Sequence, residues 1–193
     1  MNNEDIIEYL IHELGHIYEV CNMEKEERQK YKIFLNKETC ECVACMLEGG
    51  FLKFLYHYDE KIFTSLYMWK KDIVTLIPYL LIKFLFEQYV YINENKITEI
   101  DLNRYWENLL LKYMPHQVGN KDYHWLKKFV IDDLPFNSFK YLLGRIVSLL
   151  TLGSEEDLKD IYTKYFKFGF KFSNYFEFNR KNINNIDKYV NIC

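Results

Sequence analysis

Apolar residues recur along this chain at helical spacing. Near the start, Ile6, Ile7, Leu10, Leu14, Ile17 and Tyr18 fall three and four residues apart, so they share one face of a predicted helix. Asn3 is a suitable N-cap, and Glu4 and Asp5 put negative charge in the first turn, where unpaired N–H groups and the helix dipole favour it. The stripe is expected to fix this helix against a core. A charged connector, Glu24 to Lys32, leads to a long helix predicted from Asn36 to about Tyr58, with Gly49-Gly50 marking a close helix contact or a kink. A further helix is predicted from about Glu60 to Lys71. Asp72 to Ile92 holds the most apolar run, Ile73 to Phe86. Pro78, Lys83, Glu87 and Gln88 interrupt that segment, so it reads as a buried central helix and not as a membrane span.

The second half follows the same pattern. Asn93-Glu94-Asn95 is a turn, and Thr98 caps a helix to about Lys112 with Glu99 and Asp101 in its first turn. Met114 to Asp122 is the main loop, followed by a short helix around Trp125 to Phe129. Asp132-Asp133-Leu134-Pro135 breaks the chain before a helix that carries Tyr141. Ser154 with Asp157 approximates a capping box for a helix to about Phe168. Phe170 to Phe178 is aromatic, and the tail over residues 179–193 is polar and expected to fray. No repeat, low-complexity linker or strand is predicted. The expectation is an all-α, multi-helix single domain spanning residues 1–193.

Composition narrows the function classes. A net charge of −3 offers no electrostatic case for nucleic acid. Seven glycines and three prolines among 193 residues fit dense helix with short connections. The N-terminus is acidic where a secretory signal needs a basic start and an apolar run, so a cytoplasmic address is expected. Five cysteines, three of them crowded as Cys40, Cys42 and Cys45 on one predicted helix, do not form a secreted disulfide framework. Cys42 and Cys45 also spell CxxC. With no second such pair, they suit small buried positions better than a metal site.

The candidate chemistry is His12-Glu13-Leu14-Gly15-His16. Two histidines four apart lie on one face of a helix a turn apart, so both imidazoles can address one zinc ion. Glu13 sits beside that position, where a carboxylate can accept a proton from a water activated by the metal. The competing reading is a chance HExxH on an ordinary amphipathic helix. Position 22 is Asn22, so the third histidine of HExxHxxGxxH is missing and a carboxylate must complete the set, with one position open for water. Glu38 and Glu41 both stand in the next predicted helix. Glu41 is preferred, and Glu38, Cys45 and Glu48 share its face.

His12-Glu13-Leu14-Gly15-His16, followed 25 residues after the second histidine by Glu41-Cys42-Val43-Ala44-Cys45-Met46-Leu47-Glu48, resembles the oligoendopeptidase F and thimet oligopeptidase family of zinc metallopeptidases. The resemblance implies one zinc per chain held by His12, His16 and Glu41. It also implies Glu13 as general base, and Glu48 or Glu38 orienting a ligand histidine from behind. Lys96-Ile97-Thr98 to Tyr113-Met114-Pro115, Trp125, and Leu152-Gly153-Ser154 to Phe168-Gly169 continue it at lower specificity, over the catalytic part of the family's fold only.

Two departures shape the expectations. Family members are longer, with upstream helices forming the far wall of a peptide channel. The site here is therefore expected to be open on one side unless a second copy or another chain covers it. The family also carries a histidine and tyrosines that hydrogen-bond the developing oxyanion. Phe136 to Gly144 retains one placed tyrosine, Tyr141, with core packing as its competing role. His116 and His124, in the preceding loop, are candidates for the missing histidine. The expected activity is hydrolysis of short or unstructured peptides, such as the leader of a small modified peptide. The competing function is a catalytically silent, zinc-containing module that grips a peptide or partner.

Overall fold

The computed structural model describes residues 3–23, 37–59, 61, 75–93, 96–121, 124–125, 137–167, 172–182 and 185. The described residues are helical, with no strand among them. The chain gathers into two compact units, residues 1–69 with 143–193, and residues 70–142. No helix among the described residues is long and apolar enough to cross a membrane.

The first unit is built on α1 (Asn3–Asn22) and α2 (Lys37–Tyr58). Around its middle α2 is buried at Cys40, Cys42, Val43, Ala44, Cys45 and Met46. These mostly small side chains let neighbouring backbones come close, which requires glycine on the partner at two places. A Cβ on Gly15 of α1 would collide with the Cα of Ala44 and stand 3.0 Å from its carbonyl oxygen. A Cβ on Gly144, in α5 (Asn137–Gly153), would sit 2.8 Å from Cys45 Sγ and 3.2 Å from the Glu41 carbonyl oxygen. α2 also runs through Gly49-Gly50 as continuous helix, and the pair marks the expected close packing: Gly49 abuts the backbone of Ser148, and Gly50 the side chain of Leu158.

The close approach at Gly15 turns α1 the other way from its predicted orientation. Ile6, Ile7, Leu10, Leu14 and Ile17, expected to face the core, are exposed, and Tyr18 is half-buried with its ring edge-on to Tyr162. Gly15 and Glu19 are buried instead, with Ile11, His12 and His16 half-buried beside them. The physical reason is steric: only the glycine face can lie on α2 at this distance, so the bulky stripe is left outside.

After α5, Ser154 is buried and its hydroxyl accepts from the Glu156 N–H. The helix cap is Asp157, whose carboxylate accepts from the Asp160 N–H at 2.9 Å, three residues later than the predicted capping box began. The short helix α6 (Leu158–Ile161) passes into a wider π-type turn at Tyr162–Phe166. There Tyr165 and Phe166 pack on Phe178 of α7 (Phe172–Asn182). Of the polar tail, expected to be partly frayed, residues 179–182 are helical, and the buried Asn182 side chain donates to the Phe178 carbonyl oxygen.

The second unit contains α3 (Ile77–Asn93), α4 (Glu99–Tyr113), a 3-10 turn at Pro115–Gln117 and the start of α5. Its core is Ile82, Phe86, Trp106, Leu109, Leu110 and Met114. Thr98 caps α4, as predicted, and Asp101 completes a capping box with it. α3 is not buried throughout: Leu80, Ile82, Phe86 and Glu87 face inward, while Tyr91 and Ile92 are exposed at its end. The helices predicted around residues 62–71 and 126–129 lie outside the described residues.

Candidate metal centre

α1 and α2 bring the motif together. Glu41 and Glu48 are seven residues apart, two turns on one face of α2, and His12 fits between them. Its Nδ1 lies 2.6 Å from Glu48 Oε1, and its Nε2 lies 3.4 Å from Glu41 Oε2. The imidazole of His16, one turn on, stands edge-on to that of His12 with ring centres 4.9 Å apart. The ligand atoms of His12, His16 and Glu41 all lie within 4.8 Å of one another, and all three residues are half-buried.

Behind His12 runs a short chain of polar contacts. The Glu48 carboxylate takes the imidazole on one oxygen, while its other oxygen accepts from Arg145 Nη1 on α5 at 2.5 Å. The Glu48 side chain is only 2% exposed, so this ion pair works in a poorly solvated place and its hydrogen bonds carry more weight than surface ones. With Nδ1 donating to Glu48, the free lone pair of a neutral His12 falls on Nε2, on the side of His16 and Glu41. In the metal-free chain the same two carboxylates, Glu41 and then Glu48, hold the imidazolium and raise the His12 pKa from 6.5 to about 9. The two carboxylates therefore favour the protonated ring.

A second grouping, His12 with Cys45 and Glu48, shares the same histidine. It is the weaker one. Burial pushes the Cys45 thiol well above its ordinary range, with Glu48 adding to the effect, and Glu48 already serves Arg145. A ligand thiol must be a thiolate. Cys40, Cys42 and Cys45 are buried thiols outside any disulfide, in keeping with packing positions.

The remaining sequence candidates are placed as follows. Glu13 is half-buried on α1 between the two histidines. Glu38 stands in the first turn of α2, and its side chain lies outside the described residues; of the two glutamates predicted to support a histidine, Glu48 makes the bond. Tyr141, His116 and His124 belong to the second unit and are exposed. Lys140 Nζ sits 4.4 Å from the Tyr141 ring centre, and the His124 ring stacks near Trp125.

No family model, curated protein or solved structure matched the chain.

Arg145 was missed by the sequence reading. Its signal is a lone cation in the apolar run from Tyr141 to Leu150, a position that costs several kcal/mol unless an acid meets it. Gly15, within the same motif, makes the contact that seats α1 on Ala44, which helix periodicity does not reveal.

Proposed function

We propose that this chain is a zinc-dependent peptidase acting on short or unstructured peptides. One observation carries the reading: His12, His16 and Glu41 converge from two helices, while Glu48 and Arg145 brace His12 from behind. Two imidazoles and one carboxylate form a donor set that suits zinc with a position left for water, and the half-burial of all three leaves them reachable. The motif's resemblance to the oligoendopeptidase F family supports the substrate class.

Bound there, zinc would polarise the scissile carbonyl and lower the pKa of the attacking water. The chain's own residues do the rest. Glu13 takes the proton from that water as its oxygen bonds to the carbonyl carbon, and returns it to the amine nitrogen as the C–N bond breaks, so acid and amine products balance one water consumed. His12 keeps its Nδ1 proton on Glu48 throughout, which holds the ring's orientation.

The test is metal content and cleavage of a mixed quenched-peptide library by wild type, Glu41→Ala and Glu13→Gln. The expected pattern is one zinc per wild-type chain, metal lost in Glu41→Ala, and metal kept with cleavage abolished in Glu13→Gln. Absence of zinc from the wild type sinks the reading. Bound zinc with no cleavage would replace it by a zinc-containing peptide-binding module.

A further inference from the structure

Among the described residues, none covers the outward face of α1. Ile7, Leu10, Leu14 and Ile17 are 39%, 54%, 49% and 57% exposed, and their spacing of three, four and three is that of a coiled-coil seam. No lysine or arginine occurs in α1, and no acidic residue falls on these four positions. We propose that this seam binds a second copy of the same chain, α1 packing antiparallel on α1 about a two-fold axis.

The order of residues points to a copy over any other occupant. Ile7-Leu10-Leu14-Ile17 reads the same in both directions about position 12, in spacing and in residue type. Turned antiparallel, Ile7 of one copy meets Ile17 of the other, and Leu10 meets Leu14, so the stripe is its own complement, as an isologous interface requires. Antiparallel helices also set opposite dipole ends together. The seam residues with Ile6 alongside expose roughly 400 Å² of side chain per copy, about half the ~800 Å² per partner of a standard interface, with the flanking polar rim to supply the rest. Glu13 adjoins Leu10 and Ile17, three and four residues away on the helix surface, so the second copy borders the candidate metal centre on its general-base side. The pairing goes beyond the peptidase reading and does not depend on it.

The experiment is sedimentation of the full chain at micromolar concentration, with and without zinc. The expected wild-type mass is twice 23.7 kDa. Leu10→Glu and Leu14→Lys should each sediment as monomers with the helicity of wild type, since both side chains are half-exposed in the single chain. Mixing the two variants should restore a dimer, because antiparallel register sets position 10 against position 14. A parallel seam sets each position against itself and gives no restoration, which overturns the register. A wild type that stays monomeric overturns the proposal, and binding of that monomer to phospholipid vesicles or to an apolar helical peptide would reassign the face. Should these charged variants fail to fold, the milder Leu10→Ala and Leu14→Ala should each weaken the wild-type dimer, and a dimer that neither weakens overturns the seam.

Discussion

Replacing Gly15 by alanine in a helix interior ordinarily stabilises by about 1 kcal/mol, because alanine loses less conformational entropy. Here the opposite is expected. The new Cβ would overlap the Ala44 Cα and stand 3.0 Å from the Ala44 carbonyl oxygen and 3.1 Å from its carbonyl carbon. All three are backbone atoms of a buried helix and cannot swing aside. α1 must therefore retreat by on the order of 1 Å to reach ordinary contact, and overpacking of this kind costs about 1–3 kcal/mol. The net effect is a loss of about 1–2 kcal/mol in stability once the propensity gain is set against it.

The larger consequence falls on the metal centre. His12 and His16 ride on α1 while Glu41 rides on α2, and metal-ligand distances tolerate about 0.2 Å. A 1 Å retreat should weaken zinc binding at least ~10-fold, about 1.4 kcal/mol. The assay is competition for zinc against a chromophoric chelator, alongside a thermal melt of the metal-free protein. Ala44→Gly should not rescue, since the clash is with backbone and not with the Ala44 methyl. A Gly15→Ala protein that melts no lower than wild type and holds zinc equally well would refute the helix contact as the element that sets the site.

Other changes probe the support behind His12. Glu48→Gln should keep the fold and lower zinc affinity roughly 10- to 100-fold, read by the same chelator competition. Arg145→Met leaves one oxygen of the buried Glu48 carboxylate without its Arg145 donor and should cost roughly 1–3 kcal/mol in a denaturant melt, with Arg145→Lys recovering part. For pH, the folded His12 pKa of about 9 exceeds the unfolded 6.5, so its contribution to the metal-free fold is complete below 6.5 and is lost as pH rises to about 9. The chelator-treated protein should therefore melt lower across that window, with His12→Gln removing the slope, while apparent zinc affinity rises because the bound proton must leave.

Legibility from the sequence followed the range of each interaction. His12 with His16, and Glu41 with Glu48, are related by one and two helical turns, so helix periodicity alone shows that each pair can act together. That the two pairs face each other needs the packing of α1 on α2, and the sequence carried this only through the motif's resemblance. Arg145 lies 97 residues from Glu48, and no periodicity connects them. The Thr98 cap was readable because both partners are three residues apart, whereas Ser154 and Asp157 look equally like caps, and tertiary burial of Ser154 decides between them. The orientation of α1 failed for a different reason. Hydrophobic periodicity reports that two faces differ; which one can approach a neighbour is decided by side-chain volume, and here by a single glycine.

That inverted helix separates what selection would see. In a saturation library of α1 screened for folding alone, the intolerant positions should be Ile11, His12, Gly15 and Glu19, while Ile7, Leu10, Leu14 and Ile17 accept polar residues. Screened instead for a property of the assembled pair, the same library should lose those four. A substitution table built from hydrophobicity would rank the two sets the wrong way round for folding, so on this helix conservation of an aliphatic residue would be a record of company kept and not of stability.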